Sequence, residues 1–573
     1  VKLDKHQVAE VLAEMAAIFE LKGENPFKVR AYQNAVRIVE GLTDDLEDLI
    51  KKDELTKIKG IGSHLALHIA ELVKTGKLKE YEKLRKSVPE GIFEMLRIQG
   101  LGPKKVKAIW EKLKITNVGL LEYACKENRL LELEGFGERM QEKILKGIEY
   151  LRRFEDKHLF STAYAAALEI HRAIANHKSV VHSEISGSIR RRKELIRDID
   201  ILASSEKPGP LMNLFVSLPQ VDSVTAKGDT KSSVVLKSGI ACDLRVVSDK
   251  EFPFALHYFT GSKEHNVVMR TLAKKNGIKM NEYGLFKGTK LVACKSEAEI
   301  FERLGLTFIP PELREDQGEI EAAAKGKLPE LLSPDDIIGV FHCHSNWSDG
   351  AASIETMAEA AKNLGYKYIG IADHSQSAAY AGGLKPGEVK EQIKEIDKLN
   401  KKLKGITILK GSEVDILPDG SLDYPDSILA MFDFVIVSIH SKFNMREDEM
   451  TKRIVRGMKN KYASILGHPT GRLLLARDGY PVNMRQVIDA AAEYDVAIEI
   501  NAHPQRLDLD WRYGKYAKSK GVKVVIAPDA HGPEGLHDMT YGIGIARKGW
   551  LEKSDVLNCL SAEEVKRFFK NRL

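Results

Sequence analysis

From residue 337 onward one recurring pattern leaves few folds open. Short apolar runs (IIGVFHCH, YIGIAD, DFVIVSIH, ASILGHP, VAIEIN and VKVVIAPDAH) alternate with helical stretches, and most end in a histidine or an acid. Buried strands alternating with helices predict a parallel sheet curled into an α/β barrel. Barrels of this kind build their chemistry at the C-terminal strand ends. His342, His344, His374, Glu413, His440, His468, Asp529 and His531 fall there, and Asp349 follows the first strand in SNWSDG. Any one of these histidines alone would read as a buried, hydrogen-bonded residue. Two pairs at i and i+2, His342/His344 and Asp529/His531, together with single ligands at successive strand ends, point instead to metal. Nitrogen and oxygen donors without a thiolate suit two or three Mn²⁺, Zn²⁺ or Fe²⁺ ions. Such a cluster activates water and clamps a phosphate, so hydrolysis of a phosphoester is expected. Arg472, Asn501, His503 and Arg506 are candidates for phosphate or DNA contact.

The first 150 residues are of a different kind. Val8, Val11, Leu12, Met15, Ile18 and Phe19 recur at helical spacing. One short pattern occurs three times, as IKGIGSHLA (58–66), IQGLGPKKV (98–106) and LEGFGERMQ (133–141). Glycine at both ends of a turn lets the backbone bend sharply, and the helix after it presents its first amides to an anion. Gly60, Gly62, Gly100 and Gly102 are therefore candidate phosphate-backbone contacts. Lys104, Lys105 and Lys107 beside Pro103 strengthen the second copy, whereas Glu138 weakens the third. The segment resembles helix-hairpin-helix modules, which grip DNA backbones without reading sequence.

Between residues 160 and 250 helices and strands alternate. In ISGSIRRRKELIRDIDILA (185–203), Asp198 and Asp200 lie at i and i+2, on one face of a strand. Crowded carboxylates repel unless a cation lies between them, and Mg²⁺ or Mn²⁺ meets that need. Asp243, in IACDLRVV, supplies a third ligand, completing a set suited to two-ion phosphoryl transfer. Gly187 and Ser188, followed by Arg190 and Arg191, form a turn of amides, hydroxyl and guanidinium suited to a triphosphate.

At these residues the chain is similar to the family X DNA polymerases, and the resemblance extends through HYFTGSKEHN (257–266) and NEYGLF (281–286). It implies that Asp198, Asp200 and Asp243 hold the catalytic metals, and that Ser188 and Arg191 meet the incoming dNTP. It further implies that Tyr258, Phe259 and Gly261 wall the sugar, that Asn266 approaches the base, and that Arg270 and Glu282 lie near the template. Two positions depart from the family. His68 stands where a Schiff-base lysine follows the first hairpin, and imidazole forms no stable iminium, so classical lyase chemistry is not expected. Binding of a 5′-phosphate by Lys28 and the first hairpin is expected to survive. Ala241 stands where an arginine often precedes the third aspartate.

The C-terminal pattern resembles the polymerase-and-histidinol-phosphatase (PHP) domain, a distorted (β/α)7 barrel. All nine positions of its trinuclear centre are filled here, with Asp349 in a place often held by histidine, which favours manganese.

The expected fold is thus multidomain α/β. It comprises helix-hairpin-helix regions over 1–85 and 86–155, a nucleotidyltransferase palm over 156–250, a small α+β thumb over 251–312, a polar linker over 313–336 and a PHP barrel over 337–573. Length agrees, because 573 residues exceed a single core. The net charge of +6 is mild, with its positive excess in the middle segment, where a polyanion would be held. Five cysteines without a CxxC pair exclude a disulfide framework or thiolate zinc site. No apolar run approaches the ~20 residues that span a bilayer, and VKLDKHQVAEVLAEM lacks a signal segment.

A cytoplasmic monomer free of membranes is expected. It would fill gapped or primer-template DNA in base excision repair and trim 3′ ends as a 3′–5′ exonuclease. Two alternatives stay open: a polymerase fused to a small-molecule phosphatase, and a DNA end-binding scaffold with vestigial sites.

Overall fold

The computed structural model of the chain describes residues 3, 5–40, 42, 46–98, 100–154 and 156–570. It divides into two units, 1–155 and 156–573.

The described part of the first unit is helical, with α1 (Pro26–Glu40), α2 (Ser63–Thr75), α3 (Lys79–Lys86), α4 (Pro103–Leu113) and α5 (Glu138–Phe154) carrying the features of interest. The three repeated turns precede α2, α4 and α5. In each, the first glycine is left-handed: φ is +100° at Gly60, +90° at Gly100 and +83° at Gly135. The second has ordinary backbone, with φ −76° at Gly62 and −75° at Gly102, and caps the helix that follows. A Cβ added at Gly62, Gly102 or Gly137 would meet nothing within 4 Å. The two glycines thus act differently. The first is required by backbone geometry, and the second leaves open space before the unpaired amides of the next helix.

The second unit begins with a five-stranded sheet of β1 (His182–Ile185), β2 (Asp198–Ser204), β3 (Val221–Lys227), β4 (Lys231–Leu236) and β5 (Ala241–Val247), in the order β1-β2-β5-β4-β3. Its alternation is strict where it matters. Ile199, Ile201, Cys242 and Leu244 enter the core, which leaves Asp198, Asp200 and Asp243 on the opposite face. A four-residue helix, α6 (Gly187–Arg190), lies beside β2. After β5 come α7 (Phe252–Thr260), α8 (Lys263–Lys275) and a small antiparallel sheet of β6 (Lys279–Asn281), β7 (Gly284–Lys287) and β8 (Lys290–Val292).

The barrel follows, its seven parallel strands β9 (Gly339–Cys343), β10 (Tyr368–Ile371), β11 (Thr407–Asp415), β12 (Phe434–Ser438), β13 (Ile465–Leu466), β14 (Ala497–Asn501) and β15 (Val524–Ala527) pairing in chain order. Closure is made by backbone bonds just past the outer strands, His344 N–H to Ala530 O at 2.8 Å and Ala530 N–H to His342 O at 3.2 Å. The interior is filled rather than hollow. Phe341, Tyr368, Phe434 and Ile465 pack inside, and Val565 and Phe569 of the C-terminal helix, Ala562–Lys570, join them. Large rings are accommodated by glycine across from them, since a Cβ at Gly411 or Gly339 would strike Phe434 or Tyr368.

The polar stretch 313–336, expected as a linker, is folded into this unit. It contains α9 (Glu319–Ala324), and Arg314 and Glu319 are completely buried. Polarity misled because these charges are paired rather than solvated. Arg314 meets Glu297 at 2.5 Å, and Glu319 meets His265 at 2.6 Å.

The basic turn after α6 is likewise enclosed. Arg190 binds Thr260 and Glu297. Arg192 lies over the rings of Phe160 and Tyr164 and against Gly544. Glu194 receives the Trp511 indole N–H at 3.3 Å. At the centre, Glu315 accepts from Arg191 Nε at 3.0 Å and from Lys548 Nζ at 2.6 Å; Lys548 ends α10 (Met539–Lys548), a helix of the barrel region. Burial lowers the Lys548 pKa to about 8 against the pull of Glu315.

Glu315 is the shared anionic partner of Lys548, Arg191 and Lys193, and leaving buried charge unmatched costs about 3–5 kcal/mol. Glu315→Gln is therefore expected to lower the urea midpoint of the second unit more than Lys548→Met does. Equal midpoints for both variants and the parent would contradict this.

Two candidate active sites

On the five-stranded sheet, Asp200 and Asp243 are direct neighbours on parallel strands, with Asp198 two residues before Asp200. Burial, then Asp198 and Asp243, push the Asp200 carboxyl up to about 6. Carboxylates this close on one face repel one another, and a cation between them would offset that repulsion. Lys231 Nζ lies 2.7 Å from Asp243, taking up part of the charge.

The turn at Gly187 is pressed against these carboxylates. Its φ is +64°, and a Cβ there would sit 2.3 Å from Asp200 Oδ2. The neighbouring Ser188 hydroxyl is buried without a hydrogen-bond partner. Arg191 is committed to Glu315 and to the Thr260 carbonyl at 2.8 Å.

Tyr258 and Phe259 meet edge to face at the end of α7, with the Arg245 guanidinium over Phe259. Asn266 Nδ2 donates to Tyr258 O at 2.7 Å and to Gly261 O at 3.3 Å, fastening α8 to that wall. Gly261 has ordinary φ, but a Cβ would meet Asn266 Oδ1 at 2.6 Å. Arg270 is exposed on α8 and Glu282 half-buried between β6 and β7.

In the first unit, Lys104 is exposed, whereas Lys105 Nζ donates to Gly100 O at 3.1 Å within its own hairpin. Lys28 lies over the Phe19 ring and 3.9 Å from Glu80.

At the barrel mouth the fold gathers all nine ligand-type residues around Glu413. Its Oε1 lies 2.9 Å from His468 and 3.3 Å from His440. Oε2 lies 3.0 Å from His374, 3.4 Å from His342 and 3.7 Å from His344. Asp529 approaches His344 at 3.2 Å, and Asp349 lies between His374 and His531 at 3.6 and 3.4 Å. Three overlapping groups have the spacing of a metal site: His342/His344/Asp529, His374/Glu413/His440 and His344/Asp349/His374/His531.

The donors fit divalent ions. His342 Nε2, both nitrogens of His344, His374 Nδ1 and His468 Nδ1 are buried without hydrogen-bond partners. Burial opposes ionisation of Glu413 and Asp529, yet the surrounding imidazoles hold both carboxyls well below their usual range. Burial, then His531, brings His344 down to about 3, leaving it neutral with its lone pair free.

The His342/His344 pair does not sit on a regular strand. β9 is irregular between Val340 and Cys343, and His342 has φ +55°. His468 and Asp529 are also left-handed, at +22° and +54°. Strain at three ligand-type residues marks a site whose geometry is imposed by its surroundings.

Several supporting residues escaped the sequence reading. Glu499, fully buried on β14, accepts from His342 Nδ1 and from the His468 N–H, both at 2.5 Å. Asp415 holds His440 Nδ1. Asp373 accepts from Ser345, Ser348 and Gln392, ordering the loop that delivers Asp349. The available signal was an acid inside an otherwise apolar strand, as in VAIEIN.

Of the remaining candidates, Asn501 Nδ2 donates to Asp529 at 3.1 Å and Arg506 lies 3.5 Å from the same carboxylate. His503 N–H donates to Asn501. Arg472 is tied to Asp510 at 2.9 Å and to the Arg506 and Leu507 carbonyls, bracing the loop.

Known families match along the chain: a helix-hairpin-helix domain over 4–78, a helix-hairpin-helix tandem over 92–149, the DNA polymerase beta thumb over 255–315 and the PHP domain over 341–503. The DNA polymerase/3′–5′ exonuclease PolX of Bacillus subtilis is 39% identical over 572 residues, covering 99% of this chain and 100% of that protein. The chain belongs to the PolX group of family X DNA polymerases. Most of the barrel-mouth cluster, from His342 to His468, falls within the matched PHP domain. A probable phosphatase of a Thermoanaerobacter species is 29% identical over 242 residues, covering 40% of this chain and 94% of that protein. A chain of Leishmania infantum polymerase beta, solved as a ternary P/T complex, is 22% identical and covers 39% of this chain and 100% of that one, with a TM-score of 0.26.

Gly187→Ala, which sets a methyl against Asp200, is expected to abolish nucleotide incorporation while the nuclease persists; unchanged incorporation would refute the close approach. Glu499→Gln is expected to raise the Mn²⁺ concentration for half-maximal hydrolysis about 10–100-fold, the usual effect of losing an imidazole's outer partner. A titration curve overlying that of the parent would exclude this role.

Proposed function

We propose that this chain fills short gaps in DNA with dNTPs and trims mispaired or blocked 3′ ends, using separate metal centres for the two reactions. The observation carrying the proposal is the coexistence of two built sites within one unit: the carboxylate triad against Gly187, and the nine-residue cluster around Glu413.

In the polymerase centre, Asp198, Asp200 and Asp243 would hold Mg²⁺ or Mn²⁺, which supplies the charge that activates the primer hydroxyl and stabilises departing pyrophosphate. Ser188, with its hydroxyl unpartnered, and the amides around Gly187 receive the triphosphate. Arg191 contributes positive charge that Glu315 partly offsets. Tyr258, Phe259 and Gly261 wall the deoxyribose. Because the Asn266 amide nitrogen is already spent on the wall, its Oδ1 is the atom left to face the base.

In the PHP centre the nine ligands would hold two or three Mn²⁺, Zn²⁺ or Fe²⁺ ions, with manganese favoured by Asp349. Arg506 is placed to steady the phosphate. Gly62, Gly102 and the exposed Lys104 take the DNA backbone, and Lys28 a 5′-phosphate; Arg270 and Glu282 lie near the template.

A second reading, hydrolysis of small phosphomonoesters, is favoured by the match to a probable phosphatase over nearly that protein's whole length. A labelled gapped substrate in Mn²⁺, with and without dNTPs, separates the two readings. Asp198→Ala is expected to cut synthesis by about 10²–10³-fold or more and spare 3′-end trimming, and His344→Ala to do the reverse. Loss of both activities in either folded variant would defeat the two-centre reading. Turnover of small monoesters without trimming would support the second.

A further inference from the structure

We propose a third metal site, for a borderline divalent ion such as Zn²⁺, at His64, His68 and Glu80 in the N-terminal unit, braced by Tyr32. His64 and His68 lie at i and i+4 on α2, one turn apart on the same face, with ring centroids 4.3 Å apart. Glu80 comes from α3, and its Oε2 lies 3.1 Å from His68 Nε2. One ligand atom from each of the three lies within 4.8 Å of the others.

His68 is buried and its other nitrogen, Nδ1, is 2.9 Å from the Tyr32 hydroxyl on α1. Without metal, His68 is satisfied when Tyr32 donates to Nδ1 and Nε2–H donates to Glu80. Shifting that single proton from Nε2 to Nδ1 frees the Nε2 lone pair for a divalent ion beside Glu80, reverses the tyrosine bond so that Nδ1–H donates to the Tyr32 oxygen, and lets the second imidazole join. Burial, then His64, lowers the His68 pKa, which keeps the ring in the neutral form that ligates. Lys28 does not block the position, because it faces the opposite oxygen, Oε1, at 3.9 Å and rests on Phe19.

Two imidazoles and one carboxylate select zinc-like ions over Mg²⁺, and three protein ligands leave a fourth position open on the side of the exposed His64. The ion would tie α2 to α3 and, through Tyr32, to α1. None of these residues belongs to the PHP cluster or to the polymerase triad, so the site stands independently of both.

Full-length protein, His64→Ala and Glu80→Gln would be dialysed side by side against Zn²⁺ and their zinc content measured. Because His64 is exposed, its removal does not threaten folding. The 3′–5′ nuclease rate, which rests on the function proposed above, serves to show equal loading of the barrel; if that activity is absent, zinc content of the His344→Ala background replaces it. The parent is expected to bind one more zinc per chain than either variant. Tyr32→Phe is expected to weaken that zinc about tenfold or more while leaving the count at saturation unchanged. Equal zinc content in parent, His64→Ala and Glu80→Gln would overturn the proposal and leave His68 as a hydrogen-bonded brace between Tyr32 and Glu80.

Discussion

Both candidate centres crowd ionisable groups that a cation between them would hold together. At the barrel mouth one buried carboxylate, Glu413, lies within 3.7 Å of five imidazoles. On the sheet, three aspartates share one face, and Asp200 is pushed up to about 6. At the barrel mouth, where the groups are buried, an unmatched charge costs several kcal/mol. Much of the surrounding architecture keeps them there regardless: the irregular first barrel strand, the left-handed backbone at His342, His468 and Asp529, and the glycine that lets a turn press against Asp200. Bound divalent ions would relieve the crowding, and the scaffold sets where that relief would occur.

The same economy of charge joins the polymerase to the nuclease. Residues 190–194, RRRKE, look like a surface built for a polyanion. In the folded unit they are spent on Glu297, Glu315, aromatic faces and Trp511. Lys548 enters that turn from the barrel region and binds the Arg191 carbonyl at 2.9 Å as well as Glu315. The turn that follows Gly187 and Ser188 is therefore partly walled by the PHP region. Glu297, which burial alone would make hard to ionise, is held at about 2 by Arg314 and Arg190. These buried pairs give the joint its register, because each charge accepts few partners and each lost partner is costly.

Much of the fold and of both sites was legible in the sequence, for identifiable reasons. Side-chain direction alternates along a strand, so DID had to present both aspartates together. Apolar runs of four or five residues ending in His or Asp had to become buried parallel strands with ligands at their tips. Repeated Gly-x-Gly before a helical stripe had to be a turn. These are local rules, decided by neighbours within a few residues. Glu499, Asp415 and Asp373 were not legible, because an acid in a strand or loop announces nothing until the imidazole or hydroxyl it serves is brought up from elsewhere in the chain. Residues 313–336 were misread for the same reason: Arg314 and Glu319 look solvated until Glu297 and His265 are folded against them.

The recurring strand ends determine the kind of barrel and which residues stand at its mouth as candidate ligands, since periodicity and residue chemistry suffice for both. Which nitrogen faces which carboxylate was decided only by tertiary structure. So was the reach of Lys548 into the polymerase turn, and so was the meeting of His64, His68 and Glu80 beside Tyr32. Each depends on partners far apart in sequence, whose charges can be buried only where the fold closes them upon one another.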